Sequence, residues 1–123
     1  MAWTQNLPPR VCRAFNNWLA DFCNTNRARL KPAALLPVHD VKLAEAEARR
    51  SVKELGAVAL VLPNQQVNGR PWYDRYYDPL WAEAERLHVP VAFHGIRWPT
   101  RSIWDGVISI TSLWRTPWAI QWR

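Results

Sequence analysis

The chain reads as an α/β protein built on a parallel sheet, and two patterns in the sequence predict this. Largely apolar runs at 30–36, 57–62 and 89–93 alternate with segments whose apolar residues recur every three to four positions. A run that is apolar throughout marks a strand covered on both faces, whereas the 3.6-residue recurrence marks a helix with one buried stripe. The links between each helical segment and the next run are too short for anything but right-handed crossovers, so successive strands lie parallel. No Gly-rich phosphate loop follows any run, which removes the dinucleotide-binding and P-loop folds from consideration.

The first helix is expected over 11–23, where Val11, Phe15, Trp18, Leu19 and Phe22 form the apolar stripe after the start signal Pro8-Pro9. A strand follows at 30–36 despite its internal Pro32, and Pro37 ends it. Asp40 is an N-cap for a second helix over 41–55, with Val41, Ala44, Ala48, Val52 and Leu55 on its buried stripe and Gly56 as its stop. The run 57–62 is the second strand, closed by Pro63 and followed by the polar loop 64–71 and an aromatic stretch. Asp78 as N-cap and Pro79 at the first helical position open a third helix to Leu87. The run Val89-Pro90-Val91-Ala92-Phe93 then reads as a third buried strand, with His94 at its C-terminal mouth and Gly95 after it.

With 123 residues there is room for one domain. No apolar stretch approaches the ~20 residues that cross a bilayer, and Met1 to Asn6 lack the basic-then-apolar order of a signal peptide, so a cytoplasmic protein without membrane contact is expected. Cys12 and Cys23 lie about three turns apart on one helix, beyond disulfide reach, and read as small apolar thiols in a reducing compartment. The net charge of +6 is divided unevenly: residues 1–95 carry 12 Lys/Arg against 9 Asp/Glu, while 96–123 carry four Arg against Asp105 alone. Five of the nine tryptophans also fall in 96–123. The chain therefore divides at about residue 95.

In α/β folds chemistry is done at the C-terminal mouths of the strands, which makes His94 the leading candidate for a functional group. Asn64, just past the second strand, is a candidate for substrate contact at the same rim. His39 beside the Asp40 cap and His88 in a helix–strand turn are expected to be exposed or capping. Asp74 and Asp78 sit in turns where Asp serves local hydrogen bonding rather than as an acid/base pair. Trp72, Tyr73, Tyr76, Tyr77 and Trp81 either line a substrate mouth or pack beneath the long loop.

Several strings in order carry a family resemblance: Cys12 to Cys23, Arg29-Leu30-Lys31 with Leu35-Leu36-Pro37, Glu54-Leu55-Gly56, Asn68-Gly69-Arg70-Pro71, Asp78-Pro79-Leu80-Trp81 and Val89 to His94. Over about residues 10–95 the sequence resembles the amidohydrolase-2 family, the metal-dependent (β/α)8 barrels that include aminocarboxymuconate-semialdehyde decarboxylase. The resemblance implies a partial (β/α)8 barrel of about three consecutive parallel strands. It also implies that His94 is a ligand of a catalytic divalent metal, expected to be Zn²⁺, which activates water for hydrolysis or polarises a small carboxylate or carbonyl substrate for nonoxidative decarboxylation. The family's early His-x-His pair, its later histidine and its late Asp have no counterparts here. A catalytic centre needs about three protein ligands, so the isolated chain is expected to be an inactive internal fragment that binds Zn²⁺ weakly.

Residues 96–123 follow neither the α/β rhythm nor the family pattern. One reading is a Trp/Arg surface that makes the chain a non-enzymatic binding module for nucleic acid or a membrane surface. The other, preferred, involves no nucleic acid: the segment is translated out of frame. Codons for Trp114 to Arg123 exist that, read two bases later, spell Ala-His-Thr-Val-Gly-His-Pro-Met-Ala, which is similar to the family's own continuation. A piece of a barrel exposes sheet edges, so self-association through them is expected.

Overall fold

The computed structural model describes residues 7–95; the expectations for 96–123 lie outside the described residues. Three helices and three strands alternate as the sequence predicts: α1 (Pro9–Cys23), β1 (Ala33–Leu35), α2 (Val41–Lys53), β2 (Ala59–Pro63), α3 (Asp78–Leu87) and β3 (Val91–His94). The sheet order is β1-β2-β3 with both pairs parallel, Ala34 opposite Leu60 and Pro63 opposite His94. Each strand is shorter than its apolar run. β1 begins only at Ala33, because Pro32 has no N–H to give a ladder and serves it only through its carbonyl, which accepts from Val58 at 3.0 Å.

Side chains alternate along a strand, so the register sorts the sheet into two faces. Ala34, Leu60 and Leu62 are buried against the helices, in one core with Val41, Ala44, Ala48, Leu80 and Ala84. Leu35, Val61, Ala92 and His94 lie on the opposite face, which no helix covers among the described residues. α2 is held at its start by Asp40, whose carboxylate accepts from the N–H groups of Lys42 and Leu43, and beyond its end Gly56 takes the left-handed backbone at φ +71°. Arg49 of α2 reaches Glu83 of α3 through two guanidinium bonds of 2.9 and 3.2 Å, and Arg86 meets the same carboxylate.

Three expectations are corrected. The stripe read for α1 faces outward: Val11, Phe15, Trp18 and Phe22 are exposed, and the buried face is the smaller set Cys12, Asn16, Ala20 and Cys23. Close approach of α1 to β1 and α2 favours small side chains, and the rings instead pack on one another, Phe15 tilted against Trp18 at 5.7 Å and Trp18 stacked on Phe22 at 5.9 Å. β3 is not a buried strand, since it is the last of the sheet among the described residues and Ala92, Phe93 and His94 are all exposed. Asp78 is the first helical residue of α3, with Tyr77 at the cap position and no side-chain cap bond. Its carboxylate there acts through the charge it places in the first turn.

Candidate active-site rim

β3 delivers His94 to the C-terminal edge of the sheet. Phe93, one residue earlier, points to the helix side, where its ring lies 5.8 Å from Trp72. Alternation therefore turns the imidazole of His94 to the open face, beside the end of β2. Asn64 leaves β2 at the same level, and its carboxamide lies directly against the backbone of Gly95. A methyl group at 95 would overlap the Asn64 amide, so the glycine is what leaves room for that side chain just past the end of β3. The two residues the sequence singled out thus stand at the C-terminal ends of adjacent parallel strands, with Asn64 resting against Gly95, which the sequence marks only as a strand terminator.

The other polar candidates separate from this rim. His39 is half-buried rather than exposed, and it is not a cap, since Asp40 fills that role. Its Nδ1 is buried with no hydrogen-bond partner among the described residues, while its carbonyl accepts from Asn68 Nδ2 at 3.4 Å. His88 is the exposed C-cap of α3 in left-handed backbone at φ 54°, so its position is structural. Asp74 accepts from the Tyr76 N–H at 2.8 Å and stands 3.6 Å from Arg70, a local turn bond and a local ion pair.

The aromatic stretch resolves as packing. Trp72 and Tyr77 are buried with rings 4.6 Å apart, Trp81 stands edge-on to Trp72, and Tyr73 alone is fully out in solvent at 88% exposure. Trp72 closes the end of β2 by donating its indole N–H to the carbonyls of Pro63 and Gln65 at 3.0 and 3.1 Å. Tyr76 accepts from the first N–H of α2 through its hydroxyl. The long loop therefore braces the helix side of the rim and leaves the face of His94 clear.

Displaced titrations belong to the helix side as well. Burial pushes the Tyr77 hydroxyl up from its usual value. Burial and the neighbouring Glu47 charge push the Cys12 thiol up to about 11. Burial also opposes ionisation of Glu47, but bonds from Arg50, Asn16 and Ser51 outweigh it and hold that carboxyl below the usual range. As a metal site the rim offers one imidazole, and no group of three or more His, Cys, Asp or Glu converges among the described residues. This donor set fits one ligand of a metal centre and does not by itself hold one.

Known proteins share this fold. A family model described as Amidohydrolase (Amidohydro_2) matches residues 7–120. The decarboxylase orsB of Emericella nidulans is 38% identical over 92 residues, covering 73% of this chain and 27% of that protein. Among solved structures, 2,6-dihydroxybenzoate decarboxylase from Rhizobium superposes with a TM-score of 0.67 at 29% identity, over 84% of this chain and 36% of its own. A dihydroxybenzoic acid decarboxylase from Polaromonas sp. JS666, with bound manganese and the inhibitor 2-nitroresorcinol, gives 0.67 at 28% identity, over 86% of this chain and 32% of its own. The chain therefore spans about a quarter to a third of the length of these relatives.

Proposed function

The chain belongs to the amidohydrolase-2 family, as a run of three consecutive parallel βα units of its barrel, and from that premise we propose that it is a segment of a metal-dependent decarboxylase. Its part in the assembled barrel is to supply His94 as one metal ligand and Asn64 as a substrate contact. The observation that carries this reading is the placement of His94: it ends a parallel strand and faces away from the helices, level with the end of β2. The substrate is a small hydroxylated aromatic carboxylate, by analogy with the dihydroxybenzoates in the names of the relatives. Decarboxylation is favoured over hydrolysis on the same ground. The metal is a divalent cation, Zn²⁺ or the Mn²⁺ found in the Polaromonas relative.

When bound, such a metal polarises the substrate carboxylate and its neighbouring oxygen. Within this chain, neutral imidazole at His94 donates a lone pair, and the Asn64 carboxamide can donate to a carboxylate or phenolate oxygen across the rim. The remaining ligands come from other strands, so the chain alone does not turn over substrate.

A chimera tests this reading. Residues 7–95 are spliced in place of the equivalent stretch of the Rhizobium decarboxylase, and release of CO2 from 2,6-dihydroxybenzoate is followed with Mn²⁺ or Zn²⁺. A folded chimera should be active and lose about a thousandfold in rate on His94→Ala. A folded chimera whose activity and metal content do not change on His94→Ala would overturn the assignment. The coding DNA across residues 96–123 tests the frame-shift reading, which codons that forbid the alternative frame would exclude.

A further inference from the structure

Asn64 stands between two carbonyls that a single donor holds. The indole N–H of Trp72 is shared by the Pro63 oxygen at 3.0 Å and the Gln65 oxygen at 3.1 Å. In a parallel strand, carbonyls two residues apart are separated by about 6.6 Å, twice the rise per residue. One nitrogen this close to both oxygens cannot span that distance, so the chain bends at Asn64 as it leaves β2. At this bend the Asn64 carboxamide rests against the backbone of Gly95.

The donor is itself fixed. Val67 and Arg70 exchange backbone bonds of 3.3 and 2.9 Å across Asn68 and Gly69, both in left-handed backbone at φ 52° and 71°. This two-residue reversal returns the chain towards the end of β2 and delivers Trp72 there. Trp72 is 6% exposed, and its ring meets those of Tyr77 at 4.6 Å, Trp81 of α3 at 6.1 Å and Phe93 of β3 at 5.8 Å. Phe93 precedes His94, so one side chain braces the ends of both strands that carry the rim. Packing alone would be served by any large ring at position 72. The N–H is what distinguishes tryptophan, and both of its bonds go to the chain on either side of Asn64.

We propose that Trp72 is a positioning residue for the substrate contact at Asn64: its shared N–H sets the bend that holds the Asn64 carboxamide in place. This rests on the reading of Asn64 as a substrate contact. Trp72 lies on the helix side of the sheet and does not touch substrate; it fixes the backbone that carries the amide which does. Without the N–H two carbonyls lose their buried donor, the bend relaxes, and the carboxamide no longer keeps the position from which it meets a substrate oxygen. The effect falls on substrate affinity and leaves metal binding at His94 as it was.

The test has two arms. In the full chain, Trp72→Phe keeps a ring against Tyr77 and Phe93 and removes the N–H. The NMR signals of the Asn64 carboxamide and the Gly95 amide should move, while that of the Lys42 amide at the Asp40 cap stays in place. In the decarboxylase chimera, Trp72→Phe should raise the KM for 2,6-dihydroxybenzoate about tenfold, the loss of one buried bond, with metal content unchanged and kcat within about twofold. Asn64→Ala should raise the KM as well. In the Asn64→Ala background Trp72→Phe should then add nothing, because both act through one side chain. If Trp72→Phe does not fold, benzothienylalanine at position 72, with sulfur in place of the N–H, replaces it in both arms. Unmoved Asn64 and Gly95 signals, an unchanged KM on Trp72→Phe, or KM effects that multiply in the double variant would overturn the proposal and leave the reading of Asn64 standing. An unchanged KM on Asn64→Ala overturns that reading and the proposal with it.

Discussion

The two faces of the sheet differ more than any two elements of the chain. On the helix side Leu60 and Leu62 are wholly buried, each helix meets its neighbour, and the charged groups between them are paired. On the other face Val61 is only partly covered, and Ala92 and His94 are exposed. The difference follows from where each face finds its partners. A strand's helix side is covered by the helices adjoining it in sequence, so 89 described residues suffice to pack it. The lumen side of a barrel is covered by strands from across the barrel, and its chemistry is assembled from the ends of several of them. Stability in this segment is therefore local, while the chemistry proposed for its rim is distributed.

The sharpest way to break that comparison uses neighbours on one strand. Leu60→Ala should cost about 3 kcal/mol in urea unfolding, since it opens a cavity in the packed layer. Val61→Ala, one residue on and facing the open side, should cost less than about 1 kcal/mol because little of its surface leaves water on folding. Equal costs would mean that the lumen face is covered in the free chain.

The next effect belongs to the buried polar network. Glu47→Gln should destabilise by about 2 kcal/mol, the scale of a charge-assisted bond in the interior. The sign of the pH dependence is fixed by the direction of its shift. Because the folded carboxyl titrates below its ordinary value near 4.5, its contribution is complete above that pH and is lost as pH falls through the lower folded value. Glu47→Gln should flatten this part of the stability curve; an unchanged acid limb would show that the carboxylate is not held as the structure has it.

A smaller effect, absent at neutral pH, concerns Cys12. Its thiol is wholly buried and pushed up to about 11, from an ordinary value of 9.0. At pH 8 the native chain should leave Cys12 unmodified by a thiol-specific reagent until it unfolds. Stability should then decline as pH rises from 9.0 towards 11, the interval in which only the unfolded thiol ionises. Rapid modification of Cys12 in the native chain would show that α1 lifts from β1.

The helix side was also the more legible in sequence. The alternation of runs and stripes, the Asp40 cap and the Gly56 stop all rest on interactions within a few residues, and the structure has them. The face of α1 departs from the expected one because apolar bulk alone does not mark burial. A narrower face, Cys12, Asn16, Ala20 and Cys23, was available as a stripe of small residues carrying one polar group, and Glu47 and Ser51 stood on the matching stripe of α2. Reading an Asn and a Glu as core required knowing that the Leu35 backbone turns towards α1, where Asn16 meets it, which is topology and not periodicity. His94 and Asn64 were legible as positions, because strand ends can be found from local patterns. The proximity of Asn64 to Gly95 was not, because it depends on the register between β2 and β3.

The smallest expected effect on stability sharpens the comparison from the open side. His94→Ala removes an exposed imidazole at the end of the last strand, where it contributes little packing, so the change should lie within about 0.5 kcal/mol. Asn64→Ala should be equally mild, since the amide rests against Gly95 without filling the core. Gly95→Ala is the informative third variant: its methyl group must push the Asn64 carboxamide aside, which the exposed rim allows at small cost in stability. In the chimeric decarboxylase the ranking should invert, with His94→Ala the most damaging to metal content and rate, and Gly95→Ala acting through the substrate KM. A stability loss at His94 as large as that at Leu60 would mean that the rim is part of the packed structure and that the separation of the two faces is wrong.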